Sequence, residues 1–277
     1  MTRFVALGDS TTAGYGDPMP DGRWRGWAAL LADGIGATEF TNLGASGALA
    51  ADVAATQLPA ALALRPSVAA VLVGVNDTLR DRFDVSTIGA AIDQVVRDLS
   101  DCGAVVLTVC LPDPARMFRL PAVLGRPLAR RIRAVNAIVH GVAERYSAAH
   151  LHLVEMPSVY DSRMWSIDRL HPGERGHRLL AGWAYDSLAA HGVPVCRRPD
   201  PEPDNPPPTV SAQLVWLATE GTRWLIARST DLVPYLMWMA AVEWWYDRRG
   251  IPRPDHGAQH EMAADPSRPL PARAMGT

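Results

Sequence analysis

Lysine is missing from this sequence: all 27 basic residues are arginine, set against 29 acidic ones in 277 residues. That absence excludes a Walker-type phosphate loop, whose G-x-x-x-x-G-K-[ST] pattern needs a lysine, although Gly8, Gly14 and Gly16 cluster near the start. Together with abundant Ala, Gly and Pro, the arginine usage reads as the codon bias of a GC-rich genome and carries no functional meaning. Excess charge of either sign is lacking too. A formal net charge of -2 gives no electrostatic basis for nucleic acid or an anionic membrane as the main partner.

Cysteine is scarce. Cys102, Cys110 and Cys196 form no CxxC pair and no even framework, which excludes a disulfide scaffold and suits a reducing compartment. Cys110 closes an apolar run and reads as a buried structural thiol. Long apolar runs are also absent. The first one, in MTRFVALGDS, stops at Leu7 without the apolar stretch of a secretory leader, and the run at residues 232–242 is shorter than the about 20 residues a membrane span needs. The expectation is a cytoplasmic protein with no membrane span.

What is present can bury a sizeable core, since 48% of the residues are hydrophobic and 20% charged. Apolar runs at 4–7, 68–73, 104–109 and 151–154, with a weaker one in TEFTNLG, read as strands buried on both faces. Between them lie helical patterns at 23–36, 49–64, 86–103 and 127–150, the last placing Leu128, Ile132, Val135, Val139, Val142 and Tyr146 at helical spacing, and a further helix is expected at 174–190. This alternation predicts a parallel sheet covered by helices.

After residue 193 the composition changes. PVCRRPDPEPDNPPPTV is proline-rich and acidic, so residues 194–209 read as a stiff linker closing a first domain of residues 1–193. Residues 210–249 follow as a helical segment, with Leu214, Leu217, Ala218, Gly221, Trp224 and Leu225 in one stripe and Trp238, Trp244 and Trp245 in a second helix. Its apolar surface either folds back on the main domain or pairs with a second copy as a homodimer. Residues 250–277 have no periodicity and read as a disordered tail. Within that tail, His256 and His260 in DHGAQHE stand four apart, but among flanking prolines they do not read as a metal site.

In an open parallel sheet, reactive groups gather in the loops at the carboxyl ends of the strands. Those loops hold Ser10 in GDSTTAG, Gly44 in NLGASG, Asn76 in GVND, and Asp168 with His171 in DRLHP. The four blocks, in this order over roughly residues 1–190, resemble the SGNH (GDSL-type) hydrolases. The resemblance implies a flavodoxin-like, three-layer α/β/α parallel sheet, here with a C-terminal helical extension. It also implies a serine ester hydrolase that passes a small-molecule or acyl ester through an acyl-serine intermediate. By the same resemblance Ser10 is the nucleophile, His171 the general base and Asp168 the carboxylate that orients the imidazole. The backbone N–H groups of Ser10 and Gly44 and the side-chain amide of Asn76 would then line the oxyanion hole.

The chemistry agrees with that assignment. A serine hydroxyl attacks poorly unless a neighbouring base removes its proton. A tetrahedral oxyanion needs donors fixed in advance. Asn76 can donate without carrying charge, and Gly44, lacking Cβ, lets backbone come close. No cofactor or metal is required, and a small-molecule ester is the expected partner. Two alternatives share the fold: an acyltransferase in which a bound alcohol or amine replaces water, for which the C-terminal helices could serve as a lid, and a non-catalytic scaffold. The intact set of positions argues against the scaffold.

The neighbours of these residues read more plainly. Asp9 is a turn-stabilising carboxylate and His177 a packed histidine on the following helix. Thr11 stands where the family commonly has Leu, which predicts altered packing behind the nucleophile. Arg116, Arg119, Arg126, Arg130, Arg131 and Arg133 form a solvated face that could receive an anionic acyl donor.

Overall fold

The computed structural model describes residues 1–80, 82–206, 209, 211, 218–219 and 232–250. Its sheet has five parallel strands, β1 (Arg3–Gly8), β2 (Glu39–Asn42), β3 (Val68–Leu72), β4 (Val105–Val109) and β5 (Ala149–Leu151), in the order β2-β1-β3-β4-β5. Every residue of β3 is buried, as its unbroken VAAVL requires of a strand covered on both faces.

The helices are α1 (Ser10–Ala13), α2 (Gly26–Gly34), α3 (Ala50–Asp52), α4 (Leu58–Ala63), α5 (Val75–Thr78), α6 (Val85–Asp101), α7 (Pro114–Phe118), α8 (Ala122–Arg145), α9 (Glu174–Ala190) and α10 (Leu232–Arg249). α2 packs on α9 and α6 on α8, giving the helical layers of an α/β/α sandwich. No described helix is long and apolar enough to cross a membrane.

Strand order reverses between β1 and β3, because the chain runs outward from β1 to β2 and then returns to the other side of β1. Loops leaving adjacent strands in opposite directions open a crevice at such a switch point. Ser10 follows β1 and Asn76 follows β3, so both stand there.

Three boundaries differ from the sequence pattern. The helix expected at 49–64 is interrupted by a wide π-type turn at Val53–Gln57, directly before Pro59. Proline has no N–H and its ring crowds the carbonyl four residues back, and the widened turn accommodates both. The last strand lies earlier than 151–154. His150 pairs with Thr108 in the ladder, whereas Leu153–Glu155 curls into a 3₁₀ turn, so strand pairing outweighs the apolar run. α8 starts five residues before Pro127, which is buried inside it instead of opening it.

Beyond residue 193 the chain stays against the domain. Cys196 and Arg197 donate backbone N–H groups to Gly34 O, Arg198 pairs with Asp186, and the backbone N–H groups of Asp204 and Asn205 donate to Glu174. α10 lies on α8, joined by Arg130 to Glu243, Arg126 to Asp247 and Arg131 to Tyr235. Arg130 and Arg131 are thus drawn into tertiary contacts, whereas Arg116, Arg119, Arg126 and Arg133 stay exposed, so the solvated face read from the sequence holds for four of the six. The opposite side of α10 leaves Met237, Trp238, Trp244 and Trp245 exposed. The stripe at 214–225 lies almost wholly, and the tail at 251–277 wholly, outside the described residues.

Candidate active site

β1 ends at Gly8 because the chain must turn into α1, and a buried glutamine holds that turn. Gln57 Oε1 accepts the Gly8 N–H at 2.8 Å and Gln57 Nε2 donates to Gly8 O at 2.9 Å. Asp9 caps α1, its Oδ1 accepting the Thr11 N–H at 2.9 Å, as read from the sequence. Burial pushes the Asp9 carboxyl up to about 6, against the lowering effect of the Thr11 N–H and of His171 nearby. Thr11 is half-buried, and the fully buried neighbour is Thr12, so the departure from Leu does not fall behind the nucleophile.

Ser10 opens α1, and His171 reaches it from a loop 161 positions away: the imidazole Nε2 lies 2.9 Å from Ser10 Oγ. Nδ1 of the same ring lies 2.7 Å from Asp168 Oδ2. The carboxylate is fixed on its other side. Asp168 Oδ1 accepts from Ser166 Oγ at 2.5 Å, from Leu170 N at 2.9 Å and from His171 N at 3.0 Å. Burial alone would raise the Asp168 carboxyl, yet the His171 ring, the Ser166 hydroxyl and the backbone N–H of His171 together bring it down to about 2. It is therefore ionised at neutral pH. Tyr15 lies against the His171 ring at 5.5 Å between centroids and is itself stacked on Trp24.

Gly44 and Asn76 flank the nucleophile turn. A Cβ on Gly44 would stand 2.7 Å from Ala13 N, so the loop after β2 touches the backbone of α1. Asn42 locks this contact, donating from Nδ2 to Thr12 O at 2.7 Å and accepting the Gly44 N–H at 3.0 Å. Asn76 Nδ2 donates to Ala48 O at 3.1 Å, which ties the loop after β3 to the loop after β2. Its neighbour Asp77 accepts the Ala50 N–H and so anchors α3.

His177 is fully buried and bonded at both nitrogens: Nδ1 accepts the Trp27 N–H at 3.1 Å and Nε2 donates to Tyr15 O at 2.9 Å. It packs the nucleophile loop against α2, the structural place read for it from the sequence. Burial lowers it to about 4, and a proton on Nδ1 would confront the Trp27 N–H. A cleft of about 540 Å³, walled by Trp24, Trp165 and Pro203, reaches Asp168 but neither Ser10 nor His171. It lies beside the hydrogen-bonded chain, not over the hydroxyl.

Sequence reasoning missed Ser166, Gln57 and Asn42. Asn42 stood inside the quoted NLGASG block and could have been singled out there. The other two are ordinary polar residues whose partners appear only in three dimensions.

No match is found among curated proteins. Among solved structures, the chain resembles the psychrotrophic esterase EstA from Pseudoalteromonas sp., with 21% identity and a TM-score of 0.54 over 69% of this chain and 98% of that one. It is similar as well to the lipase/acylhydrolase from Enterococcus faecalis, with 20% identity and a TM-score of 0.56 over 72% and 99%. The acetylxylan esterase Axe2 from Geobacillus stearothermophilus aligns at 16% identity and a TM-score of 0.54 over 68% and 94%. These likenesses establish the fold. A family model matches residues 6–179, well over half of the sequence and spanning all four blocks, and by that match the chain belongs to the GDSL-like lipase/acylhydrolase family.

Proposed function

We propose that the protein hydrolyses a carboxylic ester through an acyl-serine intermediate, with Ser10 as nucleophile, His171 as general base and Asp168 as the residue that orients it. The observation that carries this reading is the unbroken hydrogen-bonded chain from Ser10 Oγ through both nitrogens of His171 to Asp168. With Asp168 ionised, the Nδ1 proton is held and Nε2 presents its lone pair to the hydroxyl.

As Oγ attacks the ester carbon, its proton passes to Nε2. The imidazolium then returns that proton to the departing alkoxide, and the alcohol leaves. Water next attacks the acyl-serine, losing a proton to His171, and Ser10 is regenerated as the acid departs. The developing oxyanion is met by the Ser10 N–H, which has no protein acceptor among the described residues. Asn76 adds a second donor, because its amide has two N–H bonds and Ala48 O takes one. The Gly44 N–H serves as a third by sharing its hydrogen between Asn42 Oδ1 and the oxyanion.

None of these steps calls on a cofactor. The three free cysteines suit a reducing compartment, consistent with a cytoplasmic site of action. The test is labelling with a fluorophosphonate together with turnover of p-nitrophenyl esters from acetyl to long acyl. Label on Ser10 and loss of both labelling and turnover in Ser10→Ala would support the reading. Turnover persisting in folded Ser10→Ala would overturn it.

A further inference from the structure

The β4–β5 edge of the sheet holds a second group of reactive side chains that the hydrolytic reading leaves unused. Cys110, fully buried just past β4, His140 on α8 and His150 in β5 bring their ligand atoms within 4.8 Å of one another. His152 joins them, its ring centroid 4.6 Å from that of His150 and 5.0 Å from that of His140. None of the four lines the cleft beside Asp168.

Two features set this cluster apart from ordinary packing. The Nε2 atoms of His140 and His150 are both buried and have no hydrogen-bond partner. Buried polar atoms are nearly always satisfied, so two orphans in one cluster call for a ligand. The second feature is the tautomer of His150. Thr108 Oγ1 donates to Ala149 O at 3.4 Å, which leaves its oxygen to accept the Nδ1–H of His150 at 2.8 Å. With the proton on Nδ1 in this arrangement, Nε2 presents a bare lone pair, as when outer partners orient a metal-binding histidine.

We propose that Cys110, His140 and His150 bind one tetrahedral divalent transition-metal ion of the zinc class, with His152 or water as fourth ligand. A thiolate and imidazoles suit such an ion, whereas magnesium or calcium would demand oxygen donors that the cluster does not offer. Tetrahedral Zn–N and Zn–S bonds place ligand atoms about 3.3–3.6 Å apart, so closure takes side-chain movement of roughly 1 Å. Binding breaks the Cys110 S–H bond, releases that proton to solvent and forms the metal–sulfur bond without any change of oxidation state. Glu155, close enough to act electrostatically on both Cys110 and His140, favours the arriving cation. The ion would rivet the three-residue edge strand β5 to β4 and to α8. Its role is separate from ester cleavage.

The test uses the full chain, stripped with a chelator and titrated with Co²⁺. The result expected is the visible spectrum of tetrahedral cobalt with a thiolate-to-cobalt charge-transfer band, saturating at one ion per chain and displaced by Zn²⁺, and a thermal midpoint that rises with Zn²⁺. Cys110→Ser should lose the charge-transfer band, and His140→Gln and His150→Ala should bind at least about 100-fold more weakly. A tail variant, His256→Ala with His260→Ala, should behave as the parent. His140→Gln, checked for folding by circular dichroism, keeps the test decisive if Cys110→Ser does not fold. A stripped, folded chain without the tetrahedral spectrum, a charge-transfer band surviving in Cys110→Ser, or binding that vanishes with the tail histidines would each overturn the proposal.

Discussion

Gly16 and Pro172 meet backbone to backbone: a methyl group on Gly16 would stand 2.1 Å from the Pro172 carbonyl oxygen, and Gly16 has a φ of +98° that disfavours any other residue. Pro172 follows His171 directly, so this contact sets how far the imidazole stands from Ser10. Gly16→Ala should push the two loops apart. A misplacement of about 1 Å at reacting groups costs on the order of 10²-fold. The expected outcome in ester kinetics is a fall of that size in kcat with a smaller change in KM. Unchanged kcat would show that the loops do not share this constraint.

The Gln57 clamp on Gly8 makes a separate prediction about stability. Gln57→Leu matches the side chain roughly in bulk but orphans the buried Gly8 N–H, worth about 1–3 kcal/mol, and leaves the Gly8 carbonyl with the Ala45 N–H as its remaining donor. Urea unfolding should therefore report a loss of roughly 1–3 kcal/mol, with turnover reduced because Ser10 lies two residues on. Gln57→Glu should recover only part of it, since the carboxylate accepts the N–H but cannot donate to the carbonyl. Equal stability in Gln57→Leu and the parent would remove the clamp from the account.

How much of this was legible beforehand depended on the kind of signal. Strands such as β3 announce themselves because burial on both faces demands a continuous apolar run, and α9 was bounded by its own periodicity. β5 was misplaced because its ladder includes His150, whose polarity hides a strand that pairing with β4 enforces. Ser10, Asp168 and His171 stood in short blocks at strand ends, and the fold brings them within hydrogen-bonding distance. The supports were hidden. Gln57 reaches Gly8 only because a π-type turn rotates it there, and the His140, His150 and Cys110 cluster joins positions up to 40 apart through sheet register and helix packing. An H-x-H pair, His150 in the edge strand and His152 just past its end, was the trace of that cluster in the sequence.

Asn76 offers a test of oxyanion stabilisation distinct from nucleophile activation. Removing one such donor typically lowers kcat by 10²–10³. Asn76→Ala should show a loss of about that size with KM little altered, because the interaction strengthens only as charge develops on the oxygen. It also breaks the bond to Ala48 O, so the variant must be shown to unfold at a midpoint near that of the parent. Asn76→Asp should be worse, placing a negative charge where the oxyanion forms. A kcat within twofold of the parent in Asn76→Ala would take this residue out of the mechanism.

Two buried groups near the nucleophile titrate in opposite senses, and stability against pH separates them. His177 takes a proton at 6.5 in the unfolded chain but only at about 4 in the folded one. Between those values the unfolded state binds more protons, so stability is lost as pH falls. Asp9 is reversed. Its folded value of about 6 exceeds the ordinary 3.8, so its contribution is fully present below 3.8 and is lost as pH rises through about 6. The windows overlap from about 6 to about 4, and each effect is on the order of 3 kcal/mol when complete, so they should nearly cancel in the parent. The depressed carboxyl of Asp168 acts lower: its contribution is present above 3.8 and lost as pH falls toward about 2. Asp9→Asn, which keeps an acceptor for the Thr11 N–H, should therefore lose stability as pH drops from about 6 to about 4. His177→Gln should gain it over the same interval. Urea midpoints measured across that range would decide, and parallel slopes in the two variants would mean that neither buried group is coupled to folding as described.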